Sequence, residues 1–277
     1  MIDGSTRLTG LLGWPVKHSK SPRLHNEWLH RAAIDAVYLP LAVEQQHLAR
    51  VFAALPRMGF VGVNVSVPHK QSILPLLDRL DPTAASIGAV NTVVFGEDGA
   101  SLGLNTDASG FLENLSQADP EFRADAGPAV LLGAGGAARA AAAALLGAGV
   151  PELRLVNRSP ASARALADAL AGPVRVLAWQ DRLRALEGAA LLVNATSLGM
   201  QGQPPLDLAL DALPQQALVN DLVYAPLATP LLIAARRRGN RVADGLGMLL
   251  QQARPAFHAW WGIWPDITLD IRRQMES

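Results

Sequence analysis

The chain has 277 residues, half of them apolar, with 24 Lys and Arg balanced by 24 Asp and Glu. At roughly 100–200 residues per domain this length predicts two domains with real cores. The zero net charge removes the electrostatic case for nucleic acid or an anionic membrane as partner, and the absence of cysteine excludes disulfides, thiolate metal sites and a Cys nucleophile, which fits a reducing, cytoplasmic setting.

In chain order, the opening MIDGSTRLTG carries an early acid and no long apolar core behind a basic start, so no secretory signal is expected. Residues 8–13 read as a strand and 21–33 as a helix; 37–43 as a strand and 45–58 as a helix; 62–67 as a strand and 69–80 as a helix; 90–95 as a further strand. This βαβ rhythm predicts a mainly parallel sheet with helices on its faces. Residues 114–125 are polar and short of apolar periodicity, and the switch between domains is placed near Thr106–Gly110. A second series follows, with strands at 129–132, 153–156, 174–177, 191–193 and 218–222. An alanine-rich helix at 137–146 uses the best helix former, and a second helix is expected at 162–171. Residues 201–216, rich in Pro and Gln, read as a mobile loop with a short helix. The final helix is expected at 247–261, packing back on the first domain. The expected fold is therefore α/β in two domains: residues 1–106 with 245–277, and residues 107–244. The most apolar region, 128–150, is broken by Arg139 and glycines and falls short of the about 20 apolar residues of a membrane span.

Chemistry is most legible at Gly133-Ala134-Gly135-Gly136-Ala137-Ala138, a G-x-G-x-x-A sequence between an expected strand and an expected helix. Gly133 permits the tight turn, Gly135 lets the backbone approach a pyrophosphate, and Ala138 lets helix and strand pack closely. The helix N-terminus then offers free N–H groups to the phosphates. This predicts a Rossmann-type dinucleotide domain. An NAD site usually places Asp or Glu on the ribose 2′-OH about 20 residues further on. Here Asn157-Arg158-Ser159 has no acid, and Arg158 can meet a 2′-phosphate with charge-assisted bonds, so NADP is expected.

Polar clusters lie where the loops of the first domain should gather: Ser19-Lys20-Ser21, Asn64 to Lys70, Asn91-Thr92 and Asn105-Thr106-Asp107. Singly, each reads as a cap, a turn or a surface charge. Together they suit a polyhydroxylated carboxylic acid. With Gly13-Trp14-Pro15-Val16-Lys17-His18-Ser19-Lys20-Ser21-Pro22, Gly88-Ala89-Val90-Asn91-Thr92, Asn194-Ala195-Thr196-Ser197-Leu198-Gly199-Met200, Asn220-Asp221-Leu222-Val223-Tyr224 and Gly245 to Ala253, they make the chain resemble the shikimate dehydrogenase family along essentially its whole length.

The resemblance implies a set of roles. Ser19 and Ser21 would hold the substrate carboxylate, with Tyr224. Asn64, Asn91, Asp107 and Gln252 would hold ring hydroxyls, and Ser66 would line the same pocket. Lys70 and Asp107 would be the catalytic pair. Gly133, Ala134, Gly135, Gly136, Ala137, Asn157, Arg158, Ser159, Thr196, Leu222 and Gly245 would contact NADP. The implied reaction interconverts shikimate and 3-dehydroshikimate on the way to chorismate and the aromatic amino acids, in a cytoplasmic monomer or homodimer. The chain departs from the family pattern with Ser66 where Thr is common, and with Ser162 where a second basic residue often stands, Arg164 following two residues further on. Lys70 either carries the proton or clamps a developing alkoxide while Asp107 or water takes the proton. No metal is expected, since none of the six histidines falls in an H-E-x-x-H-like pattern, and His69 is read as structural. The rival readings are an NAD-dependent quinate/shikimate dehydrogenase and a catalytically silent NADP-binding module. The missing acid at 157–159 argues against the first, and the presence of both Lys70 and Asp107 against the second.

Overall fold

The computed structural model describes residues 2–276. Its contacts divide the chain into one unit that runs to Thr106 and resumes at Gln252, and another that spans Asp107–Gln251.

The first unit contains β1 (Arg7–Gly13), α1 (Ser21–Arg31), β2 (Ala36–Ala42), α2 (Leu48–Ala54), β3 (Phe60–Val65), α3 (His69–Ser72), β4 (Arg79–Leu80), α4 (Pro82–Ile87), β5 (Thr92–Phe95) and β6 (Ser101–Leu104). They form one sheet in the order β2-β1-β3-β5-β6-β4. Strand β1 pairs in parallel with β2 and β3, and β4 with β6, whereas β5 runs antiparallel to both its neighbours. The core joins Leu12, Val63, Val65 and Val93 of the sheet to Phe52, Leu55 and Ile73. In α1, Pro22 sits in the first turn, where its missing N–H costs nothing, and Leu24, His25, Trp28 and Leu29 form the buried stripe.

Two expected helices are shorter than their apolar patterns. Residues 45–58 contain only α2 between two 3₁₀ turns, because Pro56 cannot continue an α-helical hydrogen-bond ladder. Residues 69–80 contain only the four-residue α3, a 3₁₀ turn at Leu74–Leu76 and the short strand β4; here Pro75 is the breaker.

The second unit opens with α5 (Asp107–Ala118), a helix that runs into the segment read above as lacking periodicity; its buried face is Phe111, Asn114 and Leu115, with polar Asn114 interrupting the apolar stripe. It continues with β7 (Ala129–Leu132), α6 (Gly136–Gly147), β8 (Leu153–Asn157), α7 (Pro160–Asp168), β9 (Val174–Ala178), β10 (Leu191–Asn194), β11 (Leu218–Asp221), α8 (Pro230–Arg237) and β12 (Val242–Ala243). Its sheet has the order β12-β11-β10-β7-β8-β9, parallel throughout. Strand order reverses between β7 and β10, which makes the switch point where doubly wound sheets bind dinucleotides. Residues 201–216 form no helix. Instead Leu206, Leu210 and Leu213 are buried in the core beneath β10 and β11, and this anchors the segment.

Helix α9 (Gly245–Trp261) starts two residues before the expected 247 and ends where expected, and the division between units falls inside it, at Gln251/Gln252, rather than at position 245. Its first turns stay with the second unit, where Asn114 donates to the Asp244 carbonyl at 3.0 Å and the Gly247 N–H to Asp244 Oδ1 at 2.9 Å. From Gln252 onward it belongs to the first unit, with Trp260 Nε1 donating to the Val93 carbonyl at 2.9 Å. It is not the last helix: α10 (Leu269–Glu276) follows and is tied to α1 by Arg31–Asp270. No helix among the described residues is long and apolar enough to cross a membrane.

Candidate active site

At one edge of the first sheet, the polar clusters come together because strand direction puts them there. Ser19 and Ser21 follow β1, Ser66 and Lys70 follow β3, and Asn105 and Thr106 follow β6. Asn91 and Thr92 lie at the amino end of β5, and because β5 is antiparallel that end falls at the carboxyl edge of its neighbours: Asn64 of β3 stands directly opposite Thr92.

These residues form a buried hydrogen-bond network. Asn64 Nδ2 donates to the Asn91 carbonyl at 3.1 Å and to Thr92 Oγ1 at 3.0 Å. Asn91 Nδ2 donates to Thr106 Oγ1 at 2.8 Å and to Gln252 Oε1 at 3.2 Å, while its Oδ1 accepts the Thr106 N–H at 2.8 Å. Three of the expected substrate residues, Asn64, Asn91 and Gln252, are thus held in one arrangement. The network fixes which end of each amide is donor and which acceptor, and a ring hydroxyl needs that definition to be read.

Tyr38, on β2, had no role in the sequence reading. Its hydroxyl donates to Asn64 Oδ1 at 2.7 Å. Burial pushes the Tyr38 pKa well above its ordinary value, so the phenol keeps its proton and remains a donor. Its ring lies flat on His25 at 4.3 Å. A lone tyrosine in an apolar strand carries no local sign of such a role.

Lys70 is half-buried in α3, and its carbonyl accepts the Val90 N–H at 2.8 Å, which pins that turn beside Asn91. The neighbouring His69 turns inward, its ring 2.7 Å from the Val43 carbonyl and 3.0 Å from Gln45 Oε1, in keeping with a structural part. Ser66 lies against the β1–α1 turn: a Cβ on Gly13 would come within 3.2 Å of both Ser66 Cβ and Val16 Cγ1. In that turn the Ser19 N–H donates to the Val16 carbonyl at 3.1 Å, Ser19 Oγ accepts the Ser21 N–H at 3.2 Å, and Ser21 is buried.

In the second unit Asp107 opens α5 and is buried, and half-buried Tyr224 follows β11. The glycine loop leaves β7 and enters α6. Gly133 has φ +112°, and a Cβ there would sit 2.9 Å from the Ala195 carbonyl, so only glycine fits. Gly135 is exposed with open space where a Cβ would project, and no side chain caps α6. That leaves room and unfilled helix N–H groups for a pyrophosphate. Ala134, Gly136 and Ala137 flank this opening.

At the end of β8, Arg158 is exposed and Asn157 Nδ2 donates to the Ser159 carbonyl at 3.0 Å. Ser159 caps α7, accepting the Ser162 N–H at 3.4 Å and lying 3.1 Å from Ser162 Oγ. Ser162, standing where a second basic residue is common in the family, therefore completes the cap. On the other half of the sheet, Thr196 follows β10, and Leu222 packs against Gly245 so closely that a Cβ on Gly245 would collide with the Leu222 and Val223 carbonyls. Among the described residues, no group of three His, Asp or Glu stands where it could hold a metal ion.

The architecture and these residues have counterparts in known proteins. Residues 11–93 match the family described as shikimate dehydrogenase substrate binding domain, and residues 117–200 that described as shikimate / quinate 5-dehydrogenase. A shikimate dehydrogenase (NADP(+)) of Rhodospirillum rubrum is 58% identical over 276 residues, and one of Paramagnetospirillum magneticum is 57% identical over 271, each alignment covering 98% of both chains. Among solved structures, shikimate 5-dehydrogenase from Thermus thermophilus in complex with NADP(H) and shikimate has a TM-score of 0.84 at 38% identity, over 98% of this chain and 97% of that one. A quinate dehydrogenase from Corynebacterium glutamicum in complex with NAD has a TM-score of 0.88 at 33% identity, over 98% and 97%. With both family matches falling in the expected order and near-complete coverage at more than half identity, the chain belongs to the shikimate dehydrogenase family.

Proposed function

We propose that this chain catalyses the reversible NADP-dependent interconversion of shikimate and 3-dehydroshikimate, in the route through chorismate to the aromatic amino acids. The observation that carries the reading is the buried Asn64–Asn91–Gln252 network beside Lys70, a set of oriented amides suited to a ring bearing several hydroxyls. Most of the proposed substrate residues lie in the first unit and the NADP loop in the second, within a cytoplasmic monomer or homodimer. The reading is tested by following the absorbance of the reduced nicotinamide with shikimate or quinate, each with NADP or NAD; faster turnover of quinate with NAD overturns it.

In this reading the Ser19 and Ser21 hydroxyls hold the substrate carboxylate with Tyr224. Asn64, Asn91, Asp107 and Gln252 hold the ring hydroxyls, and Ser66 lines their pocket. Bound NADP supplies the hydride chemistry. The protein's part is at the carbinol oxygen, where Lys70, in the short helix after β3 with its carbonyl held by the Val90 N–H, takes the proton during oxidation and returns it during reduction, with Asp107 as the other member of the catalytic pair. Gly133 to Ala137 receive the pyrophosphate, Asn157, Arg158 and Ser159 the adenosine ribose, and Thr196, Leu222 and Gly245 the other half of the dinucleotide.

Ser21→Ala removes a hydroxyl from the carboxylate anchor. A hydrogen bond to a charged group is worth about 1.5–3 kcal/mol, so shikimate KM rises about 10- to 150-fold, with kcat little changed. Steady-state kinetics measure this, and tight binding of shikimate methyl ester, equal to that of the acid, removes the anchor role.

Arg158→Ala tests the choice of cofactor. The guanidinium is a planar, permanently charged fork matched to a 2′-phosphate. In NAD it faces only a hydroxyl and stays in water. NADP affinity falls about 10- to 150-fold in the variant, and NAD affinity is unchanged. Because Ser162 is committed to the α7 cap, the wild-type preference for NADP lies toward the lower end of that range. Measured kcat/KM for both cofactors decides the matter, and an equal loss for both refutes the assignment.

A further inference from the structure

Asp221, at the carboxyl end of β11, is fully buried, and its hydrogen-bond donors are all neutral: Thr229 Oγ1 at 2.7 Å, Asn194 Nδ2 at 2.9 Å and the Val223 N–H at 3.1 Å. Among the described residues no Lys, Arg or His pairs with it. Burial pushes its pKa up, against the pull of those three bonds. A buried charge without a counter-ion is costly, a cost that an apolar side chain does not carry. The reason for a carboxylate there has to lie in what it holds.

It holds two turns. Through Asn194 it reaches the first: Asn194 Oδ1 accepts the Thr196 hydroxyl at 2.7 Å and the Thr196 N–H at 3.1 Å, and Thr196 Oγ1 accepts the Leu198 N–H at 3.1 Å. Through the Val223 N–H it fixes the second, whose first residue is Leu222. The Leu222 N–H in turn donates to the Asn194 carbonyl at 2.9 Å, so the two turns are also laced to each other. Both leave the sheet at its carboxyl edge, on the β10–β11 side of the switch point. The β8 side carries Arg158. In a doubly wound sheet the two sides bind the two nucleotide halves, which assigns β10 and β11 to the nicotinamide half. Gly133 confirms the proximity, since its missing Cβ leaves room for the Ala195 carbonyl of the first turn.

We infer that Asp221 is a positioning residue for the nicotinamide half of the cofactor, its carboxylate locking through Asn194 and Val223 the turns that present Thr196 and Leu222. The inference rests on the NADP reading above. A ligand confined to the adenosine half should not sense the lock, and this separates positioning from a general loosening of the unit.

The test is calorimetric binding of NADP and of adenosine 2′,5′-bisphosphate. If the wild-type protein binds neither, the NADP reading itself fails. If it binds both, Asp221→Ala is expected to weaken NADP about 10- to 100-fold and the bisphosphate by no more than about twofold. Asp221→Asn keeps an oxygen for Asn194 and Val223 and offers its amide N–H to Thr229 Oγ1, so NADP affinity returns to within about threefold of wild type. A folded Asp221→Ala protein that binds NADP like wild type overturns the inference. So does equal weakening of both ligands, or an Asp221→Asn protein as weak as the alanine variant. Should Asp221→Ala not fold, Asn194→Ala removes the side-chain bonds to Asp221, Thr196 and the Leu198 carbonyl while leaving the Val223 N–H on Asp221, and it must give the same split between the two ligands; a folded protein without that split also overturns it.

Discussion

Lys70→Ala lowers kcat by about 10²- to 10⁴-fold, the usual contribution of a positioned proton-transfer group, while shikimate KM moves far less. The asymmetry follows from when the interaction matters. In the ground state the carbinol is neutral, and its proposed holders, the amides of Asn64, Asn91 and Gln252, are left in place by the substitution. Charge develops on the oxygen only as the C–H bond breaks, so a group that takes the proton or steadies the alkoxide is missed in the transition state. Lys70 is well placed for this: it stands in the short turn after β3, and its carbonyl is fixed by the Val90 N–H next to Asn91. Either role for Lys70 predicts the same fall in kcat. Single-turnover kinetics make chemistry the measured step, and a variant within about threefold of wild type in that assay removes Lys70 from the mechanism.

A second large effect concerns acid stability, and it originates behind the substrate network. His25 is buried against Tyr38, Trp28, Phe257 and Trp260, with no hydrogen-bond partner among the described residues for either ring nitrogen. Burial alone lowers its pKa to about 3, whereas a histidine in the unfolded chain titrates near 6.5. Between these values the unfolded chain binds a proton that the folded protein refuses. Stability is therefore lost as pH falls below about 6.5, at about 1.4 kcal/mol per pH unit, until the folded state also protonates near 3. His25→Leu removes that contribution. Denaturant unfolding at about pH 7 and about pH 4.5 is expected to show a loss smaller by about 3 kcal/mol in the variant than in wild type. Because each protein is compared with itself, any change in packing cancels. Equal losses in the two proteins would mean that His25 is protonated, or solvated, in the native state. The effect reaches the active site because His25 is stacked on Tyr38, whose hydroxyl sets the orientation of Asn64; protonating His25 disturbs the floor of the network.

The glycine loop from Gly133 to Ala138, the acid-free turn at Asn157-Arg158-Ser159 and the alternation of strands and helices were all legible in the sequence, because each is a local property. A strand, a tight turn and a helix N-terminus are neighbours along the chain, and residue types there report directly on backbone geometry and charge. Where local pattern and tertiary packing disagreed, packing decided. Proline cut two apolar stretches, at 56 and 75, that otherwise read as long helices. Residues 201–216 have the composition of a loose loop, yet Leu206, Leu210 and Leu213 found a core to fill. Strand direction was the most consequential unread feature. The residues Asn91 and Thr92 join Asn64 at the edge proposed for substrate only because β5 runs against its neighbours, and nothing in a four-residue strand specifies which way it will pair. Tyr38 and Asp221 were missed for a related reason. Their roles consist of hydrogen bonds to residues on other strands, and such bonds come into being only when register and direction bring distant segments together. The sequence by itself determined which chemical groups are available and where the cofactor loop lies; the tertiary structure alone decided which buried donors and acceptors meet, because that pairing depends on contacts remote in sequence.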